Sequence, residues 1–311
     1  MAIALEEAAM RYWIGITDFD WYSFLADRPE LDEVNFWQPS ARRAPVTLPA
    51  GAPFLFKLHS PQGGFIVGGG FMARYSKVPI YLAWEAFQSK NGAPSAGEML
   101  SRIQRYRDGP INALHDEIGC MILSRPFFLQ RDRWIQPPED WAPNIVQGKT
   151  YDDTEPIGAR VWREVQAAAG MASPAQTQDR FGTPSLVARR LGQGEFRIAV
   201  TDAYDRRCAM TAERTLPALD AAHIVPYGQH GEHRIDNGLL LRKDLHALFD
   251  AGYLGIGQDL RIMVSRKIRE DYENGRDYYA LAGRTMRVPA DSLAAPNASF
   301  LEWHASKRFL R

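Results

Sequence analysis

The chain has 311 residues, a length that suggests two domains rather than one. Hydrophobic residues make up 45% and charged residues 24%, as in ordinary soluble globular proteins, and no apolar run approaches membrane-spanning length. Lys+Arg and Asp+Glu balance at 37 each, so overall charge gives little support to nucleic-acid binding, and two cysteines are too few for a four-cysteine zinc site.

The balance is uneven along the chain. Residues 187–311 hold 19 Lys and Arg against 16 Asp and Glu, whereas residues 1–150 hold 15 against 16. A mildly basic C-terminal part suits phosphate contact through local clusters such as Arg242-Lys243 and Arg266-Lys267-Arg269. Taken singly, such clusters are more often solvated faces. The start, MAIALEEAAMRYW, has acids where a secretory signal would have basic residues, so a cytoplasmic location is expected. Cys208 is expected to be a small buried residue in a reducing compartment.

After a tail over residues 1–10, the run RYWIGIT reads as a strand, and Asp18 or Asp20 is placed to cap a short helix through Leu25. NFWQPS (35–40) is a compact aromatic and polar cluster. PFLFKLHSP (53–61) alternates as a strand and is followed by a turn at 62–64. FIVGGGFMARYSKVP then reads as a paired strand whose three glycines predict a bulge or a close backbone approach. Two helices follow, one ending at Asn91-Gly92 and one over residues 95–107. IGCMILSRPFFL is a further strand, leading to the Pro- and Trp-rich WIQPPEDWAP. Residues 1–150 are therefore expected to form a β-rich α+β domain.

Residues 151–190 read as a helical linker, with a helix over 158–169 broken at Gly170, a loop over 172–184, and the start of a new helix at Ser185. From 191 onward the pattern is different. The run 219–225 suits a strand that ends at Pro226. A loop rich in Gly and His spans 227–234, and Asp236-Asn237-Gly238 is a turn signature. Leu241, Leu245, Leu248 and Phe249 recur at helical spacing, and Gly252 stops the helix. Four of the seven histidines fall between His223 and His246, and Asp250 lies one turn beyond His246 on the same face.

AAHIVP, then DNG and LLL, then LHALFD resemble the HNH (ββα-metal) endonuclease family over about the last 120 residues, with GYLGIGQDLRIMVS as the β-hairpin exit. The resemblance implies a metal-dependent phosphodiester hydrolase. In it His223 is the general base, Asn237 braces the loop that holds the base, and His246 is a metal ligand. The position before the base commonly carries the first ligand in that family; here it is Ala222. Residues two apart on a strand share a face, so the first ligand is assigned to Asp220. Asp250 is either a further ligand or a cap before Gly252. A mixed His and carboxylate set suits Mg²⁺ or Mn²⁺, with Zn²⁺ or Ni²⁺ as alternatives. His304 is expected to be structural.

FKLHSP, IVGGGFM and IGCMIL resemble, more loosely, the PUA-like domains of the EVE and SRA types. That resemblance implies a front domain that reads a flipped modified cytosine and an enzyme that is a modification-dependent restriction nuclease acting on double-stranded DNA. Phe36, Trp37, His59 and Ser60 are the candidate base-pocket residues, with Trp13 and Trp21 behind them. Aromatic residues on a small β-rich domain are equally the usual core. Two other functions stay open: a binding protein with a degenerate nuclease fold, or a nuclease gated by a protein or small ligand. One ββα site cuts one strand, so a homodimer is plausible.

Overall fold

A computed structural model describes residues 9–41, 47–171, 191–229 and 231–311. The chain divides into two compact units, Met1–Pro184 and Ser185–Arg311. Both helices and sheets are present in each, the mixed α+β class expected.

The first unit is built on one six-stranded sheet. Its strands are β1 (Arg11–Thr17), β2 (Glu33–Gln38), β3 (Pro53–Leu58), β4 (Ile66–Pro79), β5 (Glu117–Phe128) and β6 (Gly148–Asp152). They lie in the order β2-β5-β4-β3-β1-β6, with β1 and β3 parallel and the other pairs antiparallel. Helix α1 (Phe19–Ala26) follows β1, α2 (Ile80–Phe87) and α3 (Ala96–Gln104) follow β4, and α4 (Pro156–Ala169) follows β6. Ser95 caps α3 by accepting a hydrogen bond from the Glu98 amide at 3.2 Å. The glycines of β4 do what the sequence predicts. A Cβ on Gly68 would stand 2.3 Å from the Phe127 carbonyl oxygen, and the pairing of β4 with β5 shifts register between Gly69 and Phe71.

One face of the sheet buries Trp13, Trp21, Phe36, Phe54 and Phe56. The other buries Tyr12 and Ile14 against Val161, Trp162 and Val165 of α4. This second layer differs from the expected linker over 151–190. Residues 148–152 are an edge strand on β1, and the Tyr12 hydroxyl donates to the Gly158 carbonyl at 2.7 Å. The apolar stripe of α4 needs a partner, and the open face of the sheet supplies it. Residues 172–190, which include the expected loop and helix start, lie outside the described residues.

The second unit is organised around a two-stranded ladder and a helix. Helix α5 (Gln193–Ala203) leads in, β7 (Leu219–His223) pairs antiparallel with β8 (Gly238–Arg242), and α6 (Lys243–Asp250) follows directly. The hairpin β9 (Leu254–Ile256) and β10 (Ile262–Val264) comes next, then the short helices α7 (Lys267–Tyr272) and α8 (Arg276–Tyr279), and finally α9 (Ala298–Lys307). Phe196, Val200, Leu239, Leu241, Leu245, Phe249 and Leu301 share one core with the buried Cys208. Gly238 is required there, because a Cβ would stand 2.3 Å from the Val200 side chain. His304 on α9 is structural. It stacks on Phe249 at 3.7 Å, and its Nε2 meets the Phe249 carbonyl at 3.0 Å. Burial pushes its pKa down to about 4, so it stays neutral.

Candidate active site

His223 is the last residue of β7 and stands opposite Gly238 in the ladder. Past it the chain leaves the strand, and Asn237 holds that exit. The Asn237 side chain is fully buried. Its Oδ1 accepts from the Val225 amide at 2.9 Å, while Nδ2 donates to the carbonyls of Val225 at 3.0 Å and Glu232 at 3.1 Å. The Ile224 amide in turn donates to the Asn237 carbonyl at 2.9 Å. One asparagine thus ties both ends of the 225–236 loop, and an amide is the side chain that can donate and accept at once.

The His223 ring lies flat on Phe196 of α5, with centroids 4.0 Å apart and planes 11° apart. Its Nε2 meets Nδ1 of His233 at 2.9 Å. His233 stacks in turn on Tyr227 at 4.6 Å, and Tyr227 is 67% exposed. Burial first, then the nearby His233 and His246, push the His223 pKa down to about 4 against the opposing pull of Asp250 and Asp220. Near pH 7 His223 is therefore neutral, with a lone pair on one ring nitrogen and a hydrogen on the other.

Asp220, His246 and Asp250 form a chain of ion pairs. Asp220 Oδ2 meets His246 Nδ1 at 3.2 Å, and His246 Nε2 meets Asp250 Oδ2 at 3.2 Å. Arg197 of α5 approaches Asp220 Oδ1 at 3.4 Å. Burial would raise the Asp220 carboxyl, but the His246 hydrogen bond and the Arg197 charge outweigh it and hold the pKa below the ordinary value. Burial would lower His246, but its bonds to the two carboxylates outweigh that and raise it to about 9. The site is thus arranged around a positive charge flanked by carboxylates. Ala222, the residue before His223, is fully buried in the core.

A divalent ion suits this donor set in part. Asp220 and Nδ1 of His246 lie side by side and could share one ion. Asp250 sits on the opposite ring nitrogen, and an imidazole offers one nitrogen to one ion, so these rotamers do not bring Asp250 to the same centre. Among the described residues, no group of three or more His, Cys, Asp and Glu is arranged to hold a metal ion.

The first unit holds a separate cavity of about 640 Å³, lined by Thr17, Asp18, Trp21, Phe36, Trp37, His59 and Tyr106 among others. Phe36 and Trp21 serve it from the core, packed edge to face at 5.4 Å. Trp37 is half-buried, and its indole Nε1 donates to the Asn91 carbonyl at 2.9 Å. Asp18 occupies the position before α1 but makes no capping bond. Its carboxylate instead meets His59 Nε2 at 3.2 Å and accepts from the Tyr106 hydroxyl at 2.9 Å. Burial, then the Asp18 charge and hydrogen bond, push the Tyr106 pKa up to about 12. Ser60 is exposed and does not line the cavity; it opens the turn after His59. Trp13 is buried in the adjoining core.

Reading the sequence alone misses Asp18, Tyr106, Arg197, Phe196 and Tyr227 as parts of these sites. His233 is visible only as one of four clustered histidines, and Asp18 only as a helix cap.

Residues 208–257 match the family model described as HNH endonuclease. No curated protein matches the chain. Among solved structures, a point mutant of the ZmASCH protein from Zymomonas mobilis aligns over 49% of this chain and 97% of its own, at 9% identity and a TM-score of 0.33. A modification-dependent TagI restriction endonuclease aligns over 94% of this chain and 80% of its own, at 13% identity and a TM-score of 0.28. The matched segment 208–257 contains Asp220, His223, Asn237, His246 and Asp250 together, and it gives the C-terminal unit an HNH endonuclease domain, a phosphodiester hydrolase module.

Proposed function

We propose that the chain is a metal-dependent DNA endonuclease whose N-terminal, PUA-like unit selects duplex DNA carrying a modified cytosine and whose C-terminal unit cuts it. The observation that carries the cutting half is the joint presence of His223, its ring stacked on Phe196, and of the Asp220–His246 pair, all three of the polar residues lying in the matched segment. His223 takes a proton from the attacking water. Asn237 keeps the loop after β7 closed, so that the base does not drift. Asp220 and His246 would hold the ion, Mg²⁺ or Mn²⁺, which when bound supplies positive charge to the phosphate and the leaving oxygen. Asp250 holds the far edge of the His246 ring. His246 must give up a proton to serve as a ligand, so metal binding releases protons near neutral pH.

The reading half rests on the cavity. About 640 Å³ falls in the usual range for a small-molecule site and accommodates one base. Trp37 and Phe36 offer aromatic faces, and the Asp18 carboxylate accepts hydrogen bonds of the kind an exocyclic amino group donates. His59 helps orient Asp18. A double-strand break needs two cutting sites or two visits by one, and a homodimer acting on DNA in the cytoplasm would supply the former.

The test is digestion of matched unmodified, methylated, hydroxymethylated and glucosylated duplexes, with and without Mg²⁺ or Mn²⁺. Metal-dependent cutting of one modified class is expected. Cutting of all four at one rate would remove the reader, and no cutting with any metal would leave a binding protein.

A further inference from the structure

The contact between His223 and His233 has no role in the scheme above. Two imidazole nitrogens at 2.9 Å must share one hydrogen, so one ring donates and the other accepts. Two arrangements exist. If Nδ1–H of His233 donates, then Nε2 of His223 is consumed as acceptor and its own proton sits on Nδ1. Neither nitrogen of His223 could then take a proton from water. If Nε2–H of His223 donates to Nδ1 of His233, the lone pair of His223 is at Nδ1 and the ring can act as a base.

We infer that His233 is a positioning residue, which accepts the Nε2–H of His223 and thereby holds His223 in the tautomer whose Nδ1 receives the proton. This rests on the reading of His223 as general base. His233 is itself held firmly. Its ring stacks on Tyr227 at 4.6 Å with 17° between planes. Its carbonyl accepts from the Leu191 amide at 2.8 Å, and the carbonyl of the preceding Glu232 is bound by Asn237. Phe196 fixes the plane of the His223 ring, as Tyr227 fixes that of His233.

The chemistry balances. Water attacks phosphorus, an O–P bond forms and the bridging P–O bond breaks. The water proton moves to Nδ1 of His223, and the leaving oxygen takes its proton from solvent. As His223 becomes an imidazolium, its Nε2–H to His233 becomes a charge-assisted hydrogen bond and strengthens. With His233 neutral, the contact thus favours the transition state over the ground state, as the third group of a nucleophile–base arrangement does, whereas a protonated His233 would repel the imidazolium, the sense in which its charge lowers the His223 pKa.

Long-range ¹H–¹⁵N spectra of the full, metal-free chain with labelled histidine read the tautomer directly. The expected result is a proton on Nε2 of His223 in the parent and a mixture of tautomers in His233→Ala. A parent with its proton on Nδ1 of His223 overturns the proposal whatever the activity. Single-turnover cleavage of the duplex that the parent cuts fastest gives the second readout. His233→Phe keeps the stack on Tyr227 but has no acceptor, and should cut about 10–100-fold more slowly, the range for losing such a partner. His233→Asn sets a polar atom where Nδ1 stands and should recover most of that loss. Parent-like cutting by His233→Phe rejects the role. His223→Ala is the control: if it cuts normally, the base reading fails instead, while the tautomer measurement still reports on the contact.

Discussion

The two candidate sites are assembled in opposite ways. The C-terminal set lies between residues 220 and 250, on a strand, a loop and a helix of one consecutive strand–loop–strand–helix stretch. The N-terminal cavity draws Asp18 from the end of β1, Trp37 from β2, His59 from the turn after β3 and Tyr106 from beyond α3. In the first, local backbone geometry fixes the relative position of the polar groups. In the second, the pairing of a six-stranded sheet does so. The local site is therefore the more sensitive to single side chains, and the distributed one to packing around it.

The largest effect that follows is at the base. His223→Ala should cut about 10²–10⁴-fold more slowly under single-turnover conditions, with duplex binding within a few-fold of the parent. Cleavage at the parent rate near neutral pH would remove His223 from the chemistry. Next come the pair expected to hold the ion. Asp220→Ala and His246→Ala should each weaken Mn²⁺ binding, read by titration calorimetry, by at least about tenfold, and Asp250→Ala by less, because its carboxylate sits on the other ring nitrogen. Equal losses for Asp220 and Asp250 would show that the rotamers rearrange to make a three-residue site.

This contrast also explains what could be read from the chain in advance. His223, Asn237 and His246 stand at fixed intervals within one supersecondary unit, so the resemblance to the HNH motif points to them. Asn237 bonds to the backbone of Val225 and Glu232 across the loop. His233 lies in a loop whose spacing carries no rule, and its contact with His223 depends on how the loop folds back. Asp18 looks like a helix cap because its local sequence is that of a cap, while its actual partners, His59 and Tyr106, are distant in sequence. The 156–169 segment looks like a linker helix because its stripe of Val161, Trp162 and Val165 reveals a buried face but not the sheet that buries it. Ser60 shares a motif with His59 but not its direction, since a turn begins between them.

Stability should depend on pH through His246 in a direction opposite to an ordinary paired carboxylate. Its folded pKa is raised to about 9 from the ordinary 6.5. The contribution is then fully present below about pH 6.5 and is lost as pH rises through about 9. The span sets an upper bound of about 3 kcal/mol, shared with Asp220. Urea unfolding of the metal-free chain at pH 6 and pH 9.5 should show the fall, and His246→Gln should flatten it. A parent profile as flat as that of the variant would mean that the Asp220–His246–Asp250 chain contributes little in the folded state.

The smallest expected effect lies in selection, at Trp37. Its ring is fixed by the indole bond to the Asn91 carbonyl and faces the cavity from β2. Stacking on such a face is worth about 1–3 kcal/mol per base, whichever base it is. Discrimination of one methyl group in an apolar pocket is worth a similar about 1–3 kcal/mol. Trp37→Ala should therefore weaken binding of every flipped base and reduce the preference for modified over plain duplex by about tenfold or less. The cleavage rate of bound DNA should stay at the parent value, since no residue of the 220–250 set is touched. Because Trp37 also ties β2 to Asn91, Trp37→Phe belongs beside it: a retained preference in Phe and a lost one in Ala points to stacking, whereas equal loss in both points to the indole bond. If both variants cut the same duplexes as the parent with the same preference, the cavity does not select the substrate, and the N-terminal unit acts on the nuclease by gating it.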